Sequence, residues 1–247
     1  MEQLTRSLHH LGIALSESER ALFRLYYQEL VEWNQRFNLT AITDYEGVQV
    51  RHFADSLSCL LALPRAALQA GARLIDVGTG AGFPGLPLKI LCPGLRLVLL
   101  EATRKKTEFL EHLVRRLGLQ DVEVIWGRAE EIGQQAAHRE RYDWAVARAV
   151  AELPTLVEYL LPLVRVGGAA LAQKGESGPA EAHGAEAAIQ LLGGRLRRLA
   201  AVDLHGLAET RYLVVIDKVA TTPDKYPRRP GVPARHPLSI RRSDETQ

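Results

Sequence analysis

Apolar positions along this chain follow two rhythms. Leu22, Leu25, Tyr26, Leu30 and Trp33 recur at helical spacing behind Ser16 and Glu19, whose S-x-x-E arrangement is a capping box. That pattern predicts one long amphipathic helix ending near Arg36. Asn38-Leu39-Thr40 breaks it, and Asp44 is placed to cap a further helix. From Arg73 the rhythm changes. A short apolar run (Leu74, Ile75, Asp76, Val77) leads into a turn holding Gly78, Gly80, Gly82 and Gly85, then a helix-like stretch to Leu91 and a strand-like run over 95–100 closed by Glu101. A basic amphipathic helix follows over 103–118, with Phe109, Leu110, Leu113 and Leu117 on its apolar side and Gly118 as its stop. A third strand is expected over 122–126 and a fourth over 142–147, ending at Arg148; Pro154 then starts or kinks a helix. Residues 163–168 read as a helix end and double-glycine turn before a fifth strand over 169–174. Two strand-like runs, 196–204 and 211–219, are joined by a link containing Gly206 and imply an antiparallel hairpin. The fold class expected is therefore α/β. It is a Rossmann-like, doubly wound, mainly parallel sheet with right-handed crossovers and a C-terminal antiparallel hairpin over 71–220, preceded by a helical extension over 1–70 and followed by a tail over 221–247.

The glycine turn carries the chemistry. Glycines between a strand and a helix permit positive φ and close approach of a ligand to backbone, and an acid at the tip of the next strand can accept hydrogen bonds from both ribose hydroxyls. Gly80, Gly82 and Gly85 satisfy the dinucleotide pattern G-x-G-x-x-G, a weak match on its own. The same stretch reads Asp76-Val77-Gly78-Thr79-Gly80-Ala81-Gly82, which resembles the first motif of class I S-adenosylmethionine-dependent methyltransferases. Asp76 separates the two readings: a carboxylate suits a sulfonium and an ammonium and repels a pyrophosphate. The bland alternative is that Asp76 only caps the loop through backbone N–H groups. The terminal hairpin also favours a methyltransferase, because a dinucleotide fold more often repeats its parallel half. Upstream, His52, Asp55 and Ser56 share one helical face and are placed at the mouth of this site; on an isolated helix they would be a solvent face. After the third strand, Ala129 and Glu130 would flank an adenine ring, the small residue beneath it and the acid or its backbone at the amino edge.

Composition narrows the setting. The chain has 247 residues, 47% hydrophobic and 24% charged, as expected of an ordinary soluble globular protein. No apolar run approaches the ~20 residues of a membrane helix, and residues 1–10 lack the regions of a secretory signal, so no membrane partner and a cytoplasmic location are expected. Cys59 and Cys92 lie in apolar segments without metal-ligand spacing, and no metal site is expected. Net charge is +2, but from Thr222 onward six basic residues face three acidic ones, leaving the body about neutral. A basic, proline-rich end on a neutral body suggests an anionic partner such as RNA, against the alternative of a solvated tail.

With these pieces in place, the chain resembles the small-subunit ribosomal RNA methyltransferase G family, also called glucose-inhibited division protein B. The resemblance runs nearly end to end. It is carried by Asn38-Leu39-Thr40, His52-Phe53-Ala54-Asp55-Ser56-Leu57, the glycine loop extended by Phe83-Pro84-Gly85-Leu86-Pro87, Arg128-Ala129-Glu130, Ala147-Arg148-Ala149, Lys174-Gly175 and Tyr226-Pro227-Arg228-Arg229-Pro230-Gly231. Glu101 is a conservative departure from the family's usual Asp or other polar residue. The resemblance implies the class I methyltransferase fold, S-adenosylmethionine as cofactor, and methyl transfer to N7 of one guanosine in small-subunit (16S) ribosomal RNA, naked or in the small subunit. It places Gly78, Phe83, Glu101, Ala102, Thr103, Ala129, Glu130 and Arg148 at cofactor-binding positions. Asp76 and the Gly78, Thr79, Gly80 and Gly82 backbone would hold the methionine portion, and Glu101 the ribose. Arg148 is the candidate at the acceptor mouth, as cofactor contact or donor to guanine O6. RNA contacts are expected from His52, Arg104, Lys105, Lys106, Lys174, Arg228 and Arg229, and a monomer is expected. The rival readings are the same fold acting on another RNA or a small molecule, an NAD-binding oxidoreductase, and a noncatalytic RNA-binding factor.

Overall fold

The computed structural model describes residues 1–238. Arg241, Arg242, Asp244 and Glu245, which enter the charge count of the tail, lie outside the described residues. The N-terminal part contains α1 (Glu2–His10), α2 (Glu17–Phe37) and α3 (Tyr45–Gly47), followed by a π-helical segment (Val48–Ala54), α4 (Asp55–Ser58) and α5 (Arg65–Gln69). Then come β1 (Arg73–Val77), α6 (Gly85–Leu91), β2 (Arg96–Glu101), α7 (Arg104–Arg116), β3 (Val122–Trp126), α8 (Ala129–Ile132), β4 (Tyr142–Arg148), α9 (Leu153–Leu160) and β5 (Val164–Lys174). The chain continues through α10 (Gly178–Gly184), α11 (Glu186–Leu191), β6 (Gly194–Val202), β7 (Arg211–Lys218) and α12 (Val232–Arg235). Among the described residues no helix is long and apolar enough to cross a membrane.

All seven strands form one sheet in the order β3-β2-β1-β4-β5-β7-β6. Strands β1 to β5 pair in parallel, and β7 runs antiparallel to both β5 and β6. The chain winds outward from β1 to β3, then returns past β1 to β4. This creates a switch point between β1 and β4, at whose carboxyl edge open α/β sheets bind ligands. Their central strands are buried on both faces and read as continuous apolar runs, which is why the pattern located them. The fifth strand is longer than its pattern suggested. It begins at Val164 and passes straight through Gly167-Gly168, where its register against β4 shifts. A Cβ at Gly168 would lie 2.6 Å from the Asp143 carbonyl, so the glycine permits a close backbone approach inside a strand and does not mark a turn before one.

Each sheet face has its own core. One is covered by the N-terminal helices, with Phe23, Tyr26, Leu30, Phe53 and Leu57 fully buried alongside Leu74, Leu97 and Leu171. The long helix α2 starts at the capping box, where Ser16 Oγ accepts from Glu19 N at 3.2 Å and Ser16 N donates to Glu19 Oε2 at 2.6 Å. It is fixed to α7 through Glu29, which meets His112 and Arg116 at 2.7 Å each. Burial raises the Glu29 pKa, but the His112 and Arg116 hydrogen bonds outweigh it and hold the carboxyl below its ordinary value. The other face packs α8, α9, α10 and α11 together with Tyr226. The stretch from Thr221 to Leu238 folds back over α8 and α9 with Thr222 and Tyr226 buried. It is a docked arm, although its composition reads as a solvated tail.

Candidate active site

At the carboxyl edge of β1 the chain must turn sharply, and the glycines make that possible. Gly78, Gly80 and Gly82 all have positive φ, at 67°, 61° and 101°. At Gly78 a side chain would also strike Val150, whose Cγ2 lies 2.7 Å from the Cβ position, whereas at Gly80 nothing lies within 4 Å and only φ demands glycine. The loop is held by Asp76, which is fully buried. Its Oδ2 accepts from Thr79 Oγ1 at 2.6 Å and from Gly85 N at 2.8 Å. Its Oδ1 has no protein partner. Burial raises the Asp76 pKa to about 6, with the two hydrogen bonds and Arg148 opposing and Glu101 adding to the rise. Loop capping is therefore one function of this acid, and an unpartnered acceptor is left over. A cationic amino-acid head group needs such an acceptor, and the loop suits adenosylmethionine in a way it would not suit a pyrophosphate.

Glu101, at the tip of β2, is tied to the same loop. Its Oε2 accepts from Gly80 N at 3.0 Å and its Oε1 from Thr103 N at 2.8 Å. Gly78 N and Thr79 N donate to the Leu100 carbonyl at 2.8 and 3.2 Å, so loop and strand tip form one rigid piece. The turn after β3 joins them through Gly127 N to the Glu101 carbonyl at 3.0 Å and Trp126 Nε1 to the Ala102 carbonyl at 3.0 Å. Ala129 and Glu130 follow immediately, both buried.

In front of the loop lies a cleft of about 530 Å³ lined by Gly78, Thr79, Gly80, Phe83, Arg148 and residues of the N-terminal helices. Phe83 is its floor. One side of the ring stacks on Tyr26 (5.3 Å, 6°) and another contact is with His52 (4.6 Å, 18°), while the Arg148 guanidinium sits 5.0 Å from the ring centroid. Arg148 Nη1 donates to Asp55 Oδ2 at 2.8 Å, and Arg211 Nε lies 3.5 Å from Asp55 Oδ1. Gln173 Nε2 donates to the Asp55 carbonyl at 2.7 Å, which turns its unpartnered Oε1 the other way. The π-helical segment presents His52 and, one turn on, Asp55. Such widened turns recur at functional sites because they re-aim side chains.

The structure brings Asp76, Gly78, Thr79, Gly80, Phe83, Glu101, Arg148, His52, Lys106 and Lys174 to one edge of the sheet. Several sequence assignments need correction. Arg228 is not available to a phosphate: its backbone N and guanidinium bind Glu158, fully buried, at 2.6–3.1 Å. Lys174 is in the cleft wall, but its ammonium is neutralised by Glu181 at 2.6 Å and donates to the Ala151 carbonyl. His52 carries no charge to offer RNA. Burial, reinforced by Arg148, lowers its pKa to about 3, and its Nε2 is shared with Thr40 Oγ1 at 2.8 Å. The Glu130 carboxylate is taken up by Gly231 N at 3.0 Å. Arg104, Lys105 and Arg229 are exposed, as a phosphate contact requires. Sequence reasoning missed Arg211, Gln173 and Thr40, whose roles depend on contacts far along the chain, and Tyr26, read only as one apolar position of a helix.

The strand order, the acid-led glycine loop with its spare carboxylate oxygen and the acid at the β2 tip together define a class I S-adenosylmethionine-dependent methyltransferase. Relatives narrow this further. The family model GidB, rRNA small subunit methyltransferase G, matches residues 19–207, and the chain belongs to that family. A ribosomal RNA small subunit methyltransferase G from Pelotomaculum thermopropionicum is 49% identical over 96% of this chain and 98% of its own length. One from Roseiflexus sp. (strain RS-1) is 50% identical over 96% of this chain and 100% of its own length. Among solved structures, MtNAS in complex with MTA and tNA is similar at 16% identity and TM-score 0.52, covering 82% of this chain and 74% of that one. The cyclase SpnF is similar at 16% identity and TM-score 0.52, covering 68% and 82%. These two share the fold.

Proposed function

We propose that this enzyme transfers the methyl group of S-adenosylmethionine to N7 of one guanosine in small-subunit ribosomal RNA, acting as a cytoplasmic monomer. The observation that carries the reading is the cleft itself, which adjoins the adenosylmethionine cradle and whose histidine and acids at the mouth are engaged by neighbouring side chains. His52 is neutral, with Nε2 on Thr40 Oγ1 and Nδ1 3.5 Å from Arg148 Nη2, and the Asp55 carboxylate is bound by Arg148 with Arg211 nearby. N7 of guanine has an in-plane lone pair and no proton to remove, so a mouth whose acids and histidine are committed to their neighbours suits it. The residues after β4 are Ala147-Arg148-Ala149-Val150, lacking the Asn/Asp-Pro-Pro-aromatic sequence of amino-nitrogen methylation and any cysteine for carbon-5 methylation.

When bound, S-adenosylmethionine would supply an electrophilic methyl group, which would bond to the N7 lone pair as its bond to sulfur breaks and S-adenosylhomocysteine leaves. The protein's part is to hold, orient and exclude water, and orientation alone contributes about 7–11 kcal/mol to such reactions. Asp76 and the backbone of Gly78, Thr79, Gly80 and Gly82 hold the methionine portion. Glu101 spends one acceptor position per oxygen on backbone and keeps the others for the ribose hydroxyls. Ala102, Thr103, Ala129 and the Glu130 backbone flank the adenine. Phe83 is the floor beneath the reacting atoms, and Arg148 meets guanine O6, leaving N7 free. Arg104, Lys105, Lys106 and Arg229 are the RNA contacts.

The test is transfer of labelled methyl from adenosylmethionine to unmodified small subunits and, separately, to naked ribosomal RNA, followed by nucleoside analysis. Label in 7-methylguanosine is expected; label in another nucleoside, or none, overturns the target assignment. Glu101→Ala should weaken adenosylmethionine binding by roughly 1–3 kcal/mol, the cost of losing charged hydrogen bonds. Calorimetry giving an unchanged affinity would remove Glu101 from the site.

A further inference from the structure

The family model ends at residue 207, while the alignments with relatives run on into the arm that follows β7. Its attachments are not scattered over the body. Many fall on the connection between β3 and β4, which begins with the turn placed at the adenine. Gly231 N donates to Glu130 Oε1 at 3.0 Å. Gln134 Nε2 donates to the Pro227 and Asp224 carbonyls at 2.9 and 3.2 Å. Arg139 donates to the Tyr226 and Thr222 carbonyls at 2.7 and 2.8 Å, and Thr222 N donates to Glu140 Oε1 at 2.8 Å. Between these points Gly133 lets Pro227 press onto the end of α8, since a Cβ there would lie 2.9 Å from Pro227 Cγ. The arm is pinned in turn by Arg228 on Glu158 of α9 and by Thr155 Oγ1 on the Pro233 carbonyl at 3.2 Å.

This arrangement matters because α8 has only four residues and no side-chain cap. A single turn of helix is not stable alone. Its position relative to the β2 tip is set by Gly127 and Trp126 on one side and by the arm on the other. Glu130 links the two, its side chain bonded to the arm and its backbone in the turn assigned to the adenine.

We propose that the arm from Thr222 to His236 braces the adenine side of the cofactor site, with Arg228 and Gly231 as its positioning residues. The inference rests on residues 127–130 facing the adenine. The arm touches no cofactor; it acts by holding Glu130 and α8 where the adenine needs them. Cofactor binding and arm docking are then coupled, and the coupling is reciprocal.

Two variants of the full chain test this. Arg228→Ala removes the pin. Gly231→Ala leaves the pin and strains the arm at the donor to Glu130, because Gly231 has φ +80° and only Arg235, at 3.8 Å, in ordinary contact with the Cβ position. Affinity for S-adenosylhomocysteine, measured well below the melting temperature, should fall roughly tenfold in Arg228→Ala and severalfold in Gly231→Ala. The KM for adenosylmethionine should rise in parallel, with kcat at saturating cofactor and KM for RNA within about twofold of the parent. Arg228→Lys should recover part of the affinity. In the parent chain, S-adenosylhomocysteine should slow amide exchange at Gly231. Affinity unchanged in Gly231→Ala, together with no change in exchange at Gly231, would overturn the brace whether or not Arg228→Ala folds. Failure of the parent chain to bind S-adenosylhomocysteine would overturn the cofactor reading itself, and the brace with it.

Discussion

At the scale of single residues, Asp76 is the group whose environment and task are most opposed. Its burial favours the neutral acid, and its proposed ligand favours the carboxylate. Because its folded pKa is raised from 3.8 to about 6, the free protein binds this proton more tightly than the unfolded chain does. The stability it contributes is full below pH 3.8 and is lost as pH rises through about 6. Asp76→Asn keeps an acceptor for Thr79 and Gly85 but cannot titrate. The variant's stability relative to the parent should therefore climb by about 2 kcal/mol between pH 4 and 7, read from denaturant midpoints. Ligand binding should run the other way. Parent affinity for adenosylmethionine should rise as pH passes through about 6, because the cation selects the carboxylate, and the variant's affinity should be flat. A flat parent profile in calorimetry would reduce Asp76 to a loop cap.

At the scale of elements, the glycine loop depends on a helix that the chain places fifty residues earlier. Tyr26, on α2, is fully buried, and its hydroxyl donates to the Ala81 carbonyl at 2.6 Å while its ring stacks on Phe83. Tyr26→Phe keeps the stacking and orphans a buried carbonyl in the cofactor loop. A loss of about 1–2 kcal/mol follows, a fall of roughly 2–8 °C in melting temperature for a chain of this size, with weaker adenosylmethionine binding. Equal melting temperatures would mean the loop holds itself. The sequence made α2 legible because amphipathic spacing and a capping box are local signals. It could not give the direction of the Tyr26 hydroxyl, which depends on how α2 docks. The same divide runs through the other elements. Central strands and the acid-led loop announce themselves locally. The passage of β5 through Gly167-Gly168 does not, because a glycine pair reads as a turn until Asp143 is seen against it. The π-helical turn carrying His52 has no compositional mark, so its shared face with Asp55 was visible while the neutral, stacked state of His52 was not.

At the scale of the whole molecule, charge has to be counted after pairing. Six basic residues in the C-terminal stretch suggest an RNA-binding tail, yet Arg228 shows how far composition can mislead when a buried acid such as Glu158 lies 70 positions away. Exposed basic residues near the site and on the arm include Arg51 at the cleft, Arg104 and Lys105 on the first turn of α7, and Arg229 on the arm. Each phosphate these residues neutralise releases counterions, so each should add about 0.7–0.9 to the slope of log affinity against log salt. Replacing Arg104, Lys105 and Arg229 together by Ala should lower that slope by about 2–3 for small-subunit RNA, with adenosylmethionine affinity intact. Replacing Arg228 alone should leave the slope where it is, since its charge is already neutralised, while lowering the melting temperature because Glu158 is left buried and unpaired. A filter-binding series across salt concentrations separates the two classes of arginine. A slope that falls with Arg228 and not with its exposed neighbour would mean that the arm undocks to bind RNA, and that the charge legible in the sequence is the charge that acts.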